Sequence, residues 1–348
     1  REQQQRAIVQ LLKDPRQVLF DRAVAGTYPP GSIFKLVTAI AGLESGSITT
    51  STSVLDEGVL KVGDYGYANW YYSQYGRTEG EISLQRAIAR SNDIYFYKAA
   101  EFTGPDTLAT WARNLGMGSK TGIELAGEAA GLVPDPAWKE RTLHEQWYLG
   151  NTYHFGIGQG DVLVTPLQVA QLFQTIGNDG VRCAPHIISQ AQTDCTSLGI
   201  TEEHLLPVVQ GMIDVCSTGG TAYPFFPYNE QHERTGNPFM EIAGGTAACK
   251  TGTAEFGPAN QQGIRKTHGW FSVIVGIPDI ASQIVSSEED PAKFAWLAAQ
   301  QSQALPKSVV ITVLVESDET KPYREGSSDA APIALTILER MIGSVGSP

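Results

Sequence analysis

Hydrophobic and polar positions along this chain follow a helical rhythm first and a strand rhythm later. Residues 33–43 are apolar enough for a buried helix, while the turn Tyr28-Pro29-Pro30-Gly31 before them cannot be helical at its prolines. Between 83 and 101 the apolar positions Leu84, Ile88, Tyr95 and Phe96 suit helix, with Ser91-Asn92-Asp93 at a helix start or loop, as do residues 108–115 further on. Residues 116–136 interrupt the pattern. Thr165, with Pro166 at the first helical position, opens a helix over 165–176, and a further one is expected over 202–215. At the start, Ile8, Val9, Leu11 and Leu12 in a Gln-rich setting give a short helix that stops near Asp14-Pro15. Residues 49–80, rich in Gly, Tyr, Asn and Ser, lack periodicity and read as a long surface loop lining something.

The rhythm then changes. Residues 247–255, 269–277 and 308–316 are β-rich runs, the last two with Val and Ile clusters bounded by Gly, Pro and charge, and they are expected to neighbour one another as antiparallel strands. An apolar helix over 331–342 needs a sheet face to cover. The fold class is therefore α+β: an antiparallel sheet flanked by helices, with a helical lobe attached, and no internal repeat.

Composition narrows the function more than the fold. The 348 residues are 42% hydrophobic and 18% charged, the balance of a packed globular protein. A net charge of −12 without clustered Lys and Arg argues against nucleic acid. No run reaches the roughly 18 apolar residues of a membrane span, the best candidates, 270–278 and 309–315, being strand-sized. No basic segment followed by an apolar one marks an export signal. Cys183, Cys195, Cys216 and Cys249 lack metal-binding spacing, so no metal or other cofactor is expected. A Cys195–Cys216 disulfide is permitted outside the cytoplasm, and buried free thiols are the equal alternative.

Three distant elements carry complementary chemistry. Ser32-Ile33-Phe34-Lys35 sets a hydroxyl and an amine three residues apart, on one face of a helix and near its positive end. Ser91-Asn92-Asp93 adds a second hydroxyl and a carboxylate. Lys250-Thr251-Gly252-Thr253 adds a cation and two hydroxyls on a strand. A serine hydroxyl is a weak nucleophile near neutral pH, and a lysine acts as its base only where the ammonium form is destabilised, which a second lysine assists. Any one of these motifs is common by chance. Together and in this order they match the set shared by class A β-lactamases and penicillin-binding proteins.

The likeness extends well beyond those motifs. Residues 26–35 (GTYPPGSIFK), 91–98 (SNDIYFYK), 121–132 (TGIELAGEAAGL), 156–168 (GIGQGDVLVTPLQ), 250–255 (KTGTAE) and 268–271 (HGWF) resemble the transpeptidase domain of class B penicillin-binding proteins, of the elongation type that serves the rod-shape machinery. The resemblance implies a peptidoglycan D,D-transpeptidase over 1–348, acylated by β-lactams and working on the extracytoplasmic face of the bacterial inner membrane beside a membrane glycosyltransferase. Such proteins carry a membrane anchor, a pedestal domain and early sheet strands before the YPPGS segment, and these are expected to be missing from this chain. The resemblance further implies that Ser32 is the nucleophile, Lys35 its base, Ser91 a proton relay and Lys250 the source of positive potential. Thr251 and Thr253 would hold the substrate carboxylate, and the amides of Ser32 and Thr253 would form the oxyanion hole. Gly252 leaves room for a substrate strand laid along the KTG strand. Asp93 stands where the generic motif has Asn. An anion close to Lys35 favours its charged form, so Asp93 is expected to turn away from that amine or pair with another cation.

Other residues carry a bland reading beside a sharper one. Trp70, Tyr71 and Tyr72 either wall the donor groove or pack under a loop. His268 is expected to pack rather than act as a base, and Cys249 to be a core thiol on the face opposite Lys250. Gln159-Gly160-Asp161 is a turn beside the site with a possible substrate-facing role. Residues 279–307 read as a solvated excursion. A D,D-carboxypeptidase or β-lactamase would share the acylation step, but nothing resembles the Glu-bearing deacylation loop of class A β-lactamases. A non-catalytic sensor or scaffold would not need all three motifs intact.

Overall fold

Every residue from Lys35 to Leu43 is buried, and several other helices of the chain pack against this one. The computed structural model describes residues 2–14, 17–188, 194–217, 219–222, 247–276 and 308–343. Helix α1 (Glu2–Leu12) leaves Ile8, Val9, Leu11 and Leu12 exposed. A 3₁₀ turn over Gly31–Phe34 then runs straight into α2 (Lys35–Glu44). Gly31 has a φ of +53°, and a Cβ there would lie 2.6 Å from the Thr253 carbonyl oxygen. Only glycine lets the turn lie this close to the later strand.

Residues 49–80 are more ordered than their composition suggests. They hold β1 (Ser53–Asp56), the hairpin β2 (Val59–Val62) and β3 (Tyr65–Ala68), α3 (Trp70–Tyr75), and β4 (Gly80–Ser83), which pairs with β1. β1 buries only Asp56 and β4 only Ile82, so neither shows the apolar alternation by which a strand is recognised. The span 83–101 is helical as expected and divides at Ser91-Asn92 into two helices. α4 (Leu84–Arg90) ends at Ser91 in the left-handed region, φ +51°, and α5 (Asp93–Thr103) begins with Asn92 capping Tyr95 N at 2.9 Å. The lobe continues through α6 (Pro105–Asn114), α7 (Pro136–Leu143) and α8 (Leu149–Gly156). α9 (Pro166–Gly177) starts at a reciprocal box between Thr165 and Gln168.

After the short pair β5 (Val181–Cys183) and β6 (Cys195–Ser197) comes α10 (Glu202–Val215), which packs on α4 and on β7 (Ala247–Phe256). β7, β8 (Lys266–Val275) and β9 (Val309–Val315) form the antiparallel sheet that the late β-runs imply. Its register sets Lys250 opposite Ser272 and Ser272 opposite Thr312. β8 is buried from His268 to Val275, so both faces of the sheet are covered. α9 and α11 (Ala331–Gly343) pack on β8 and β9. The excursion 279–307 lies outside the described residues.

The cysteines pair differently from the permitted Cys195–Cys216 bridge, and none is a free thiol. Cys183 is the strand partner of Cys195 and bonds to it, while Cys216, at the end of α10, bonds to Cys249 of β7. Strand register and helix-on-strand packing, neither visible in spacing, decide the pairing.

Candidate active site

Three elements converge beneath the start of α2. Ser32 sits half-buried in the 3₁₀ turn, and Lys35, the first residue of α2, is fully buried. Ser91 occupies the corner between α4 and α5. Lys250 enters from β7. Lys35 Nζ donates to Ser91 O at 2.6 Å, Ser91 Oγ at 3.3 Å and Asp93 Oδ1 at 2.6 Å, so its three N–H bonds are used and none goes to Ser32. Lys250 Nζ donates to Ser91 Oγ at 2.9 Å and to Thr251 O at 2.9 Å. Ser91 Oγ therefore lies between two buried lysines.

Asp93 does not turn away from Lys35. Its second oxygen accepts from Trp70 N at 2.9 Å, which fixes the carboxylate against α2. A buried ammonium needs a counter-charge, and the first turn of α5 delivers this one. Burial pulls the Lys35 pKa below that of an ordinary lysine, and Asp93 opposes the pull. Lys250 is held well below the ordinary value, first by burial and then by the charge on Lys35, with Asp93 offsetting part.

Behind this centre lies a hub that sequence reading passed over. Asp56 is buried and accepts four N–H groups: Gly58 N at 2.7 Å, Asn69 Nδ2 at 2.8 Å, Asn92 Nδ2 at 2.7 Å and Glu79 N at 3.2 Å. Asn69 Oδ1 in turn accepts from Asp93 N at 3.2 Å. The available signal was Asp56-Glu57-Gly58, the composition of an Asx turn, in a segment otherwise without periodicity. Trp70 joins the same hub: its indole donates to Arg90 O at 3.0 Å, and the Arg90 guanidinium lies over the Trp70 and Tyr71 rings. Both aromatics thus pack at the corner that carries Ser91.

On β7, Thr253 is exposed and Thr251 is buried, with its hydroxyl 2.7 Å from that of Thr221. Gly252 has a packing role besides. A Cβ there would meet Ile33 Cγ1 and Trp270 Cβ at 3.1 Å and Pro30 O at 3.2 Å, so the glycine lets β7 press against the nucleophile turn. Trp270 Nε1 also ties that turn to the sheet through Pro29 O at 2.9 Å. His268 packs, with its ring stacked 4.0 Å from Phe256, and Nδ1 accepts from Ser317 N at 3.1 Å. Burial lowers its pKa against the pull of Glu316, in keeping with a neutral ring that accepts. Among the described residues no group of three His, Cys, Asp or Glu is placed to hold a metal ion.

The family model of the penicillin binding protein transpeptidase domain matches residues 2–339. The peptidoglycan D,D-transpeptidase MrdA of Acinetobacter baumannii is 34% identical over 252 residues, covering 69% of this chain and 34% of that protein. The chain thus spans about a third of that curated relative. Among solved structures, Pseudomonas aeruginosa PBP2 in complex with WCK 5153 aligns with a TM-score of 0.72 at 27% identity, over 97% of this chain and 63% of that one. PBP2 of Helicobacter pylori in its complex with MreC aligns with a TM-score of 0.74 at 25% identity, over 98% and 54%. A match that runs almost end to end, through all three converging motifs, means that the chain belongs to the penicillin-binding protein transpeptidase domain family.

Proposed function

We propose that this chain is the catalytic unit of a peptidoglycan D,D-transpeptidase of the elongation type, with Ser32 as nucleophile. The observation that carries this reading is the position of Ser91 Oγ, 3.3 Å from Lys35 Nζ and 2.9 Å from Lys250 Nζ. That is a proton path between two amines whose charged forms burial disfavours. Ser32 Oγ attacks the carbonyl of the penultimate D-Ala of a donor stem peptide as its proton passes to the neutral amine of Lys35. The terminal D-Ala leaves with a proton delivered through Ser91, and Lys250 steadies the potential around that hydroxyl. The N–H groups of Ser32 and Thr253 receive the oxyanion, and the hydroxyls of Thr251 and Thr253 hold the terminal carboxylate. An acceptor amine on a neighbouring strand then takes the acyl group and frees Ser32. β-Lactams enter as mimics of the donor.

Asp93 sets the pH at which Lys35 becomes competent, because it stabilises the ammonium that must first lose its proton. Two disulfides support work outside the cytoplasm, where they persist. We place the domain on the extracytoplasmic face of the inner membrane, with a membrane glycosyltransferase of the rod system as its companion. The test is intact-mass measurement after exposure to penicillin. A long-lived adduct of one equivalent, absent from Ser32→Ala, is expected. Rapid turnover of the adduct would indicate a hydrolase, and no adduct would remove the enzyme reading.

A further inference from the structure

The open edge of β7 is occupied at two places by side chains of the protein itself. Among the described residues β7 is an edge strand. Thr267, opposite Glu255, turns its main chain away from β7, donating to Pro322 O at 3.0 Å and accepting from Arg324 N at 3.1 Å. Glu255 therefore presents its own N–H and C=O outward, and by the two-residue period so do Thr253 and Thr251. Thr251 O is taken by Lys250 Nζ. The Gln159 amide lies at the other end. With its oxygen toward Glu255 N and its nitrogen toward Glu255 O it makes two bonds, at 3.1 and 3.2 Å; reversed, it makes one, to Thr253 O at 3.3 Å. Two bonds decide the orientation.

The backbone holds that amide in place. Gly158 and Gly160, with φ of +73° and +79°, flank Gln159. Its N–H donates to His154 O at 2.8 Å, and the preceding carbonyl accepts from Gly31 N at 2.9 Å, next to Ser32. A Cβ at Gly158 would lie 2.2 Å from Gly31 O. The position of Gln159 is thus tied to the nucleophile turn. Between the two occupied sites the carbonyl and N–H of Thr253 stay open.

We infer that the Gln159 amide caps the β7 edge at Glu255 and confines strand pairing by the donor peptide to Thr253. Gln159 is then a specificity-determining residue for the reaction proposed above, on which this inference rests. Antiparallel pairing sets the penultimate D-Ala of a donor opposite Thr253, exchanging both main-chain bonds with it. The residue two places earlier would fall opposite Glu255, where the Gln159 amide already makes the bonds a peptide would make.

The test compares three synthetic donors: diacetyl-L-Lys-D-Ala-D-Ala, the same peptide lengthened to acetyl-L-Ala-L-Lys(acetyl)-D-Ala-D-Ala, and the long form N-methylated on L-Ala. D-Ala release is followed. With the unmutated chain, all three are expected to have the same KM. In Gln159→Ala the long donor should gain roughly 3- to 10-fold in KM, the worth of a net hydrogen bond or so, and N-methylation should remove the gain while kcat stays put. A gain from lengthening in the unmutated chain that N-methylation abolishes would overturn the inference. So would equal effects of N-methylation in chain and variant. Penicillin acylation checks that the variant is folded, and Gln159→Asn, too short to reach Glu255, carries the same comparison if Gln159→Ala is not. Failure of the unmutated chain to acylate with penicillin would sink the proposed function and this inference together; normal acylation with unchanged ratios sinks the inference alone.

Discussion

Two ion pairs of nearly equal length differ sharply in burial. Lys35 and Asp93 meet at 2.6 Å with side chains 0% and 12% exposed, whereas Arg22 and Glu316 meet at 2.5 Å with both side chains 36% exposed. Distance alone would rank them together. In water the second pair gains little, since each partner is well solvated when apart. Out of water each charge depends on the other, and loss of one strands its partner. The buried pair also belongs to a chain of dependence running from Asp56 through Asn69 and Asn92 to Asp93 and Lys35. The outer pair shares its glutamate with Tyr28, whose hydroxyl donates to Glu316 Oε1 at 2.7 Å.

The largest effect that would test this contrast comes from Lys35→Met. It leaves Asp93 buried without its cation, so a loss of about 3–5 kcal/mol is expected in urea unfolding, together with loss of the penicillin adduct. Adding Asp93→Asn to that variant should restore much of the stability and none of the acylation. Recovery of neither would mean that packing rather than charge is at stake. Asp56→Ala comes next. Stripping the hub of its acceptor should lower stability by about 1–3 kcal/mol and slow acylation while leaving its pH profile where it was.

Asp93→Asn alone also strands a buried charge, that of Lys35, and is expected to cost stability too, but what sets it apart is its effect on pH. An anion favours the ammonium form, so removing it lowers the Lys35 pKa and supplies the free amine at lower pH. The acid limb of the acylation rate against pH should then move to lower pH, and an unmoved profile would rule out the electrostatic restraint assigned to Asp93. The smallest effect is reserved for Arg22→Ala. A change of about 0–1 kcal/mol that shrinks further in salt, with acylation untouched, is the expected outcome. A larger loss would show that the outer pair is a support for the nucleophile turn.

The three motifs were legible because their chemistry is local. A hydroxyl and an amine three residues apart on a helix, and a cation on a β-rich run, announce themselves by residue type and spacing. The late strands were legible for the same reason, since Val309–Val315 is a continuous β-branched and apolar run. Residues 49–80 were not. β1 and β4 bury one residue each, so their pairing leaves no apolar pattern, and the hub they build is made of polar groups whose partners are distant in sequence.

By itself, then, the sequence determined which groups are available: Ser32, Lys35, Ser91 and Lys250, the helix that buries the first lysine, and the strand that carries the second. Only the tertiary structure decided how they meet. Whether Asp93 faces Lys35, which cysteines pair and what the Gln159 amide touches are matters of contact between segments. Such contacts are set by the left-handed corner at Ser91, the register of paired strands and the close approaches that Gly31, Gly158 and Gly252 permit. Spacing along the chain encodes neighbours on one element, whereas the charge state of a buried lysine depends on what other elements bring to it.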